Sequence, residues 1–293
     1  MQNLSYHCEI LAPNITDPSI WTGSFSWDER RHAHLLRSAQ QLRGRCYLAD
    51  GAVRPEQLVP DGRFTTPDDE RSWHFLVVAN TNRVIGCVRY SLFDPRITRF
   101  NDLRASDLVQ FADREWSRKL VAIVEADLAL ARSRGSLYAE LGGWAIAEEY
   151  RGTKLALETV LASYAWGALV RNGCICSCTA TVRHGSASIL RRIGGRPLES
   201  TEGTLPLYWD PRYGCEMEML RFDSQAVVPR YRRLVVEIQS QLKNRAALQA
   251  GGAASQEQFR ESLLNLSRAL EVGRGLVPAL TNSHPAEVNL PNR

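Results

Sequence analysis

The period of hydrophobic and polar positions changes several times along the chain. SWDERRHAHLLRSAQQLRGRCYL, from Ser26, has helical spacing, and Ser26 is placed to cap a first turn holding Asp28 and Glu29. WHFLVVANTNRVIGCVRYSLFD, residues 73–94, predicts two strands around the hairpin turn Asn80-Thr81-Asn82. A helix fits 114–133 and ends in turn chemistry at Ser133-Arg134-Gly135. The strand YAELGGWAI then runs into WAIAEEYRGTKLALETVL, residues 144–161, a strand that becomes a helix through an Arg-Gly turn. That helix carries Leu157, Val160, Leu161, Tyr164 and Ala168 on one face and stops near Asn172-Gly173. CICSCTATV reads as a strand and HGSASILRRIGG as a helix ended by paired glycines; PLYWD and GCEMEMLRF read as strands joined by Pro211 and Gly214.

Around this middle lie less regular parts. Residues 1–26 have no clear period and read as an irregular lead-in, and 50–71 read as a long loop with Asp50, Asp61, Arg63, Asp68 and Asp69. After residue 223 the pattern becomes helical only. VPRYRRLVVEIQSQLKNRAALQ is amphipathic, with Tyr231, Leu234, Val235, Ile238 and Leu242 on one side. AGGAAS breaks it before a second helix with Phe259, Leu263, Leu266 and Leu270. The chain thus divides into a lead-in (1–26), an α/β domain with crossover helices (27–223), a helical appendage (224–272) and a loose tail (273–293).

Composition narrows the function classes. At 293 residues and 44% hydrophobic content the chain can bury a real core. The net charge of +4 is interspersed, which argues for a solvated surface and against nucleic acid as a partner. LVAIVEADLALA, the longest apolar candidate, is interrupted by Glu125 and Asp127, so no membrane span is expected. The first ten residues lack a secretory pattern, which points to the cytoplasm and makes Asn14-Ile15-Thr16 a chance sequon. Seven cysteines without a sign of secretion argue against a disulfide framework. Cys174, Cys176 and Cys178 share one strand face; they are badly arranged to close a tetrahedral metal site and read as core, so no metal is expected.

The Arg-Gly junction has two readings. It can simply end a strand and start a helix, or it can hold an anion, because a helix's first turn has unpaired N–H groups and the positive end of the macrodipole. Gly152 would allow a tight turn and Arg151 would add a forked cation. With the element order, this junction resembles the GNAT superfamily of acyl-CoA acyltransferases over roughly residues 27–223. The resemblance implies that Arg151, Gly152, Thr153, Lys154, Leu155 and Ala156 form the pyrophosphate loop of coenzyme A, with Lys154 where the superfamily usually has glycine. It also implies that two parallel strands splay apart and that pantetheine pairs with the exposed backbone of Trp144, Ala145 and Ile146. NRVIGCVRYSLFDP is similar to a strand of acyl-homoserine-lactone synthases and long-chain N-acyl amino acid synthases, with Arg89 the matching arginine. Glu140 matches the acid those enzymes carry on the next strand, whereas Gly142-Gly143 replace their Ser-Arg pair.

On this resemblance the expected activity is acyl transfer from acyl-CoA or an acyl carrier protein to a small-molecule amine such as an amino acid. Glu140 is the candidate general base, or else a structural carboxylate. Arg89 would orient Glu140 or bind an acceptor carboxylate, or else is a surface residue. Gly142-Gly143 would expose oxyanion-binding N–H groups or mark a bulge, readings that are compatible. The helix after CICSC lacks the superfamily's acid tyrosine, leaving Tyr208, Tyr213 or solvent. His74 and His184 read as structural, and nothing local activates Cys87 or Cys178 as a nucleophile. The competing reading is a catalytically weak GNAT-shaped module that binds acyl-CoA or scaffolds a complex. The basic helix near 230–245 would dock a partner or membrane surface, pack on the domain, or pair two protomers as a homodimer.

Overall fold

The computed structural model describes residues 6–14, 20, 21, 23–251 and Glu261. In chain order the elements are β1 (Tyr6–Leu11), β2 (Phe25–Trp27), α1 (Glu29–Ala49), β3 (Trp73–Ala79), β4 (Val84–Phe93), α2 (Arg114–Ser133), β5 (Leu137–Ile146), α3 (Lys154–Gly167), β6 (Cys174–Thr181) and α4 (Ser186–Arg192). Then come the short strands β7 (Arg196–Pro197), β8 (Glu199–Ser200) and β9 (Gly203–Thr204), followed by β10 (Tyr208–Asp210), β11 (Cys215–Asp223), α5 (Arg232–Lys243) and β12 (Ala247–Gln249). No helix among the described residues is long and apolar enough to cross a membrane.

Among the described residues one mixed sheet runs β10-β11-β6-β5-β4-β3-β1-β12-β2, with β7 alongside β11. β5 and β6 are parallel, β12 is parallel to both β1 and β2, and the other ladders are antiparallel. Alternation along each strand sorts the core into two faces. Tyr138, Ile175, Met217 and Met219 pack under α2, and Ile85 and Cys87 under α1. Leu137, Ala139, Cys174, Cys176 and Cys178 turn to the opposite face, where α3, α4 and α5 cover them. The three alternating cysteines are therefore core residues, buried and free.

The hairpin forms at the expected turn, where Asn82 (φ 60°) donates its N–H to Ala79 O at 2.9 Å. Three expectations need correction. The lead-in is not irregular throughout, because β1 pairs along its whole length with β3, Tyr6 opposite Ala79 through Leu11 opposite His74. Ser26 does not cap α1: its backbone belongs to β2, and Asp28 caps instead, accepting from the Arg31 N–H at 2.9 Å. The appendage helix ends at Lys243, short of Ala-Leu-Gln, because residues 247–249 leave it to form β12 between β1 and β2. Tyr231, just before α5, and Val235 and Leu242 within it are buried in the core that α3 also faces, so the apolar side of this helix is used within the chain. Apart from Glu261, the expected helix around Phe259–Leu270 and the tail lie outside the described residues.

Candidate active site

The site begins where two parallel strands part. β5 and β6 pair from Leu137 opposite Cys174 to Leu141 opposite Cys178. Beyond that point β5 follows β4 to Ile146, and β6 follows β11 to Thr181. The paired glycines set the departure. Arg89 faces Gly142 and Cys87 faces Ala145, so β5 carries one residue more than β4 across the step, with Gly143 at φ +64°. A Cβ on Gly143 would lie 3.2 Å from Arg43 Nη1, and one on Gly142 would lie 3.5 Å from Arg89 Nη2. The glycines thus make the bulge and leave room for two guanidinium groups.

A cavity of about 490 Å³ opens at the divergence. Trp144, Ala145 and Ile146 line it from β5, and Cys178, Thr179 and Thr181 from β6. At one end it reaches the Arg-Gly junction through Arg151, Gly152 and Ala156. Gly152 has φ +74° with open space where a Cβ would stand, and Thr153 caps α3, accepting from the Leu155 N–H at 3.3 Å. Arg151 is held by Asp50 at the end of α1, 3.2 and 3.4 Å away. Lys154 is exposed in the first turn, whereas the Leu155 side chain is buried in the core, so that residue can serve a ligand only through its backbone. An anion suits this end: the first-turn N–H groups lack carbonyl partners within the helix, and no side chain rises from Gly152 to obstruct them.

At the other end lies an ionic floor. Asp69 is buried and takes a bidentate contact from Arg43 at 2.8 and 2.7 Å, one from Gln40 at 3.0 Å and one from Arg89 at 3.0 Å. Thr66 bonds both Asp69 and Arg89. Burial works to raise the Asp69 pKa, but hydrogen bonds and charge from Arg43, with Arg89 behind it, hold the carboxyl well below the usual range. Neighbouring Asp68 pairs with Arg104. Arg89 therefore turns to Asp69 and not to Glu140. Both Glu140 oxygens accept backbone N–H groups, of Arg104 and Ala105, at 2.9 Å each. Burial raises the Glu140 pKa against those two donors. Glu140, Arg89 and Arg151 all line the one cavity.

Sequence reading missed Arg43 and the central place of Asp69. The signal was present: Leu35, Ala39, Leu42, Arg43 and Cys46 form the buried stripe of α1, and a charge on a core-facing stripe calls for a buried counter-charge. Of the tyrosines, Tyr213 lines the cavity, whereas Tyr208 packs on Trp116 with ring centroids 4.9 Å apart. His184 stands exposed at the cavity wall. His74 is buried against the Asp69 carbonyl at 2.7 Å and is held down to about 3 by burial and the Arg43 charge, so it is neutral and structural. Burial pushes Cys87 and Cys178 up to about 12, which leaves no thiolate for nucleophilic attack.

The sequence matches no protein-family model and no curated protein. Solved structures do match. A CoA-dependent acyl-homoserine lactone synthase, BjaI, with SAM and isopentyl-CoA aligns over 89% of this chain and 100% of that chain, at 14% identity and a TM-score of 0.46. FeeM, an N-acyl amino acid synthase from uncultured soil microbes, aligns over 76% and 92%, at 13% identity and 0.40. Arylalkylamine N-acetyltransferase 2 from Aedes aegypti aligns over 76% and 100%, at 15% identity and 0.42. The fold of this chain is a mixed α/β one, a single large sheet with helices on both faces. Within it, the bulged strand, the helix that follows the Arg-Gly turn and the parallel partner strand enclose one cavity.

Proposed function

We propose that this chain is an N-acyltransferase that moves an acyl group from an acyl thioester, acyl-CoA or an acyl carrier protein, to the amine of a small molecule such as an amino acid. The observation that carries this reading is the divergence of β5 and β6 beyond Leu141 and Cys178, with one cavity continuous from the first turn of α3 to Glu140. An extended amide chain such as pantetheine can use a strand edge with no neighbour as its hydrogen-bonding partner. Arg151, Gly152 and the first-turn N–H groups of α3 would take the donor's phosphates.

The acceptor ammonium would give one proton to Glu140, whose raised pKa favours proton uptake and whose oxygens each keep a further lone pair. The amine then attacks the thioester carbon and forms the C–N bond, and N–H groups near the Gly142-Gly143 bulge stabilise the oxyanion. Collapse breaks the C–S bond, and the surplus proton on nitrogen passes to the leaving thiolate. Tyr213, kept protonated by burial, is the relay that the cavity offers for this step, giving its proton to sulfur and regaining the one that leaves nitrogen.

One observation favours the second reading, a module that binds acyl thioesters with little chemistry. Glu140 already anchors Arg104 and Ala105, and Arg89 is engaged by Asp69, so the polar floor is satisfied without an acceptor. Free-thiol release from acetyl-, octanoyl- and palmitoyl-CoA with pooled amino acids or polyamines separates the readings. Acceptor-dependent release is expected, falling about 100-fold or more in Glu140→Gln and through a raised KM in Arg151→Ala. Tight acyl-CoA binding with no release in any combination would replace the enzyme with the module.

A further inference from the structure

The cavity changes chemistry across the sheet. Over β4 it is ionic, with Arg89 and Ser91 next to Glu140 and Arg104. Over β11 Met217 and Met219 form the floor, Leu108 from the 3-10 helix Arg104–Gln110 lines the same cavity, and Thr179, Thr181 and Arg212 border them. Register produces this gradient. On the face that α2 covers, Glu140 stands beside Ser177 of β6, Thr179 beside Met219 and Thr181 beside Met217. A thioester held between β5 and β6 would have ionic ground on one side and thioether ground on the other.

The opposite face offers a second apolar direction, and it is shut. Leu141 and Cys178, the last residues paired before the strands part, stand at the vertex. Leu141 also lines a separate small hollow of about 10 Å³ together with Val160, Tyr164, Cys176 and Phe222. A void of this size holds a water molecule at most. Met217 and Met219 are themselves only 2% and 5% exposed and are backed by the packed core under α2, so the floor cannot deepen.

We propose that the donor's acyl tail lies on Leu108, Met217 and Met219, and that Leu141 closes the way into the α3-side core, so the chain accepts short and medium acyl groups and excludes long ones. This rests on the acyl-thioester reading above. The thioethers are unbranched and polarizable and adapt to tails of different shape. A long tail outgrows this patch within a cavity that the pantetheine arm and the acceptor already share.

The test is calorimetric titration of the full chain with CoA and its acetyl, butyryl, octanoyl and palmitoyl thioesters. It is repeated with S-acyl-pantetheines, which carry the arm common to both donor types. Affinity should rise by about 3- to 4-fold per buried methylene at first and stop rising before palmitoyl. Met219→Trp should weaken octanoyl-CoA about tenfold and leave CoA unchanged, while Leu141→Ala should restore the gain for palmitoyl. Affinity independent of chain length, tightest binding of palmitoyl by the unaltered chain, or one profile in all three proteins would overturn the proposal. If circular dichroism finds Met219→Trp misfolded, the unaltered chain and Leu141→Ala decide. Absence of binding by both series would instead remove the acyl-thioester reading itself.

Discussion

Gly143 and Gly152 both sit in the left-handed region, at φ +64° and +74°, yet they should respond differently to alanine. Either substitution costs roughly 1–2 kcal/mol of backbone strain. At Gly143 the new methyl also meets Arg43 Nη1 at 3.2 Å and Arg89 Cβ at 3.3 Å, whereas at Gly152 it meets nothing within 4 Å. Gly143→Ala should therefore lose more stability by urea denaturation. Gly152→Ala should lose little beyond the strain and, on the proposed acyl-thioester reading, weaken CoA binding in calorimetry, because its methyl would stand over the N–H groups assigned to the phosphates. His74 sets a pH signature. Its folded pKa, about 3, lies below the ordinary 6.5, so between these values the unfolded chain binds a proton that the folded chain refuses. This contribution is complete above about pH 6.5 and is lost as pH falls toward 3. Urea midpoints at pH 4.5 and 7.5 should differ less in His74→Gln than in the unaltered chain.

At the scale of elements, α2 contains a group with the opposite sign. Asp127 is buried beside Arg221 of β11, 2.9 Å away, and burial raises it to about 6. Between the ordinary carboxylate value and 6 the folded chain holds a proton that the unfolded chain has released, so stability from this group falls as pH rises through that window. Asp127→Asn should gain on the unaltered chain by on the order of 2 kcal/mol from pH 4 to pH 7, read from urea curves at both values. Local signals made α2 legible in advance. Its expected span, 114–133, is the observed one, since Asp113 caps it and the apolar stripe is continuous. β5, the Arg-Gly turn and the start of α3 are likewise written in contiguous residues, although α3 ends at Gly167, short of the expected stop near Asn172-Gly173. β1 and β12 were not legible, because YHCEIL and ALQ become strands only through partners far away in sequence. The candidate site divides in the same way. Glu140 and the glycine pair could be read from one strand, but the Arg43–Asp69–Arg89 cluster joins a helix, a loop and a strand and exists only once the chain has folded.

For the whole molecule the decisive joint is β12. Leu248 O accepts from the Ala12 N–H at 2.8 Å, and the Ala247 N–H donates to Ser24 O at 2.9 Å, so three residues bridge β1 and β2. Ala247 and Leu248 are 0% and 4% exposed. A chain ended at Lys243 should lose more than the roughly 2–5 kcal/mol of a single buried large-to-small change. It should also scatter light on standing, because β1 is left with an open edge; a urea midpoint equal to that of the full chain would contradict this. The joint has a further consequence during synthesis. β2 ends at Trp27 and β12 begins at Ala247, so the N-terminal strands leave the ribosome roughly ten seconds or more before the strand that belongs between them. For that interval the nascent chain carries a half-built sheet margin whose missing piece every finished copy already possesses. Crowded polysomes thus set one copy's last strand in competition with another's for the same place.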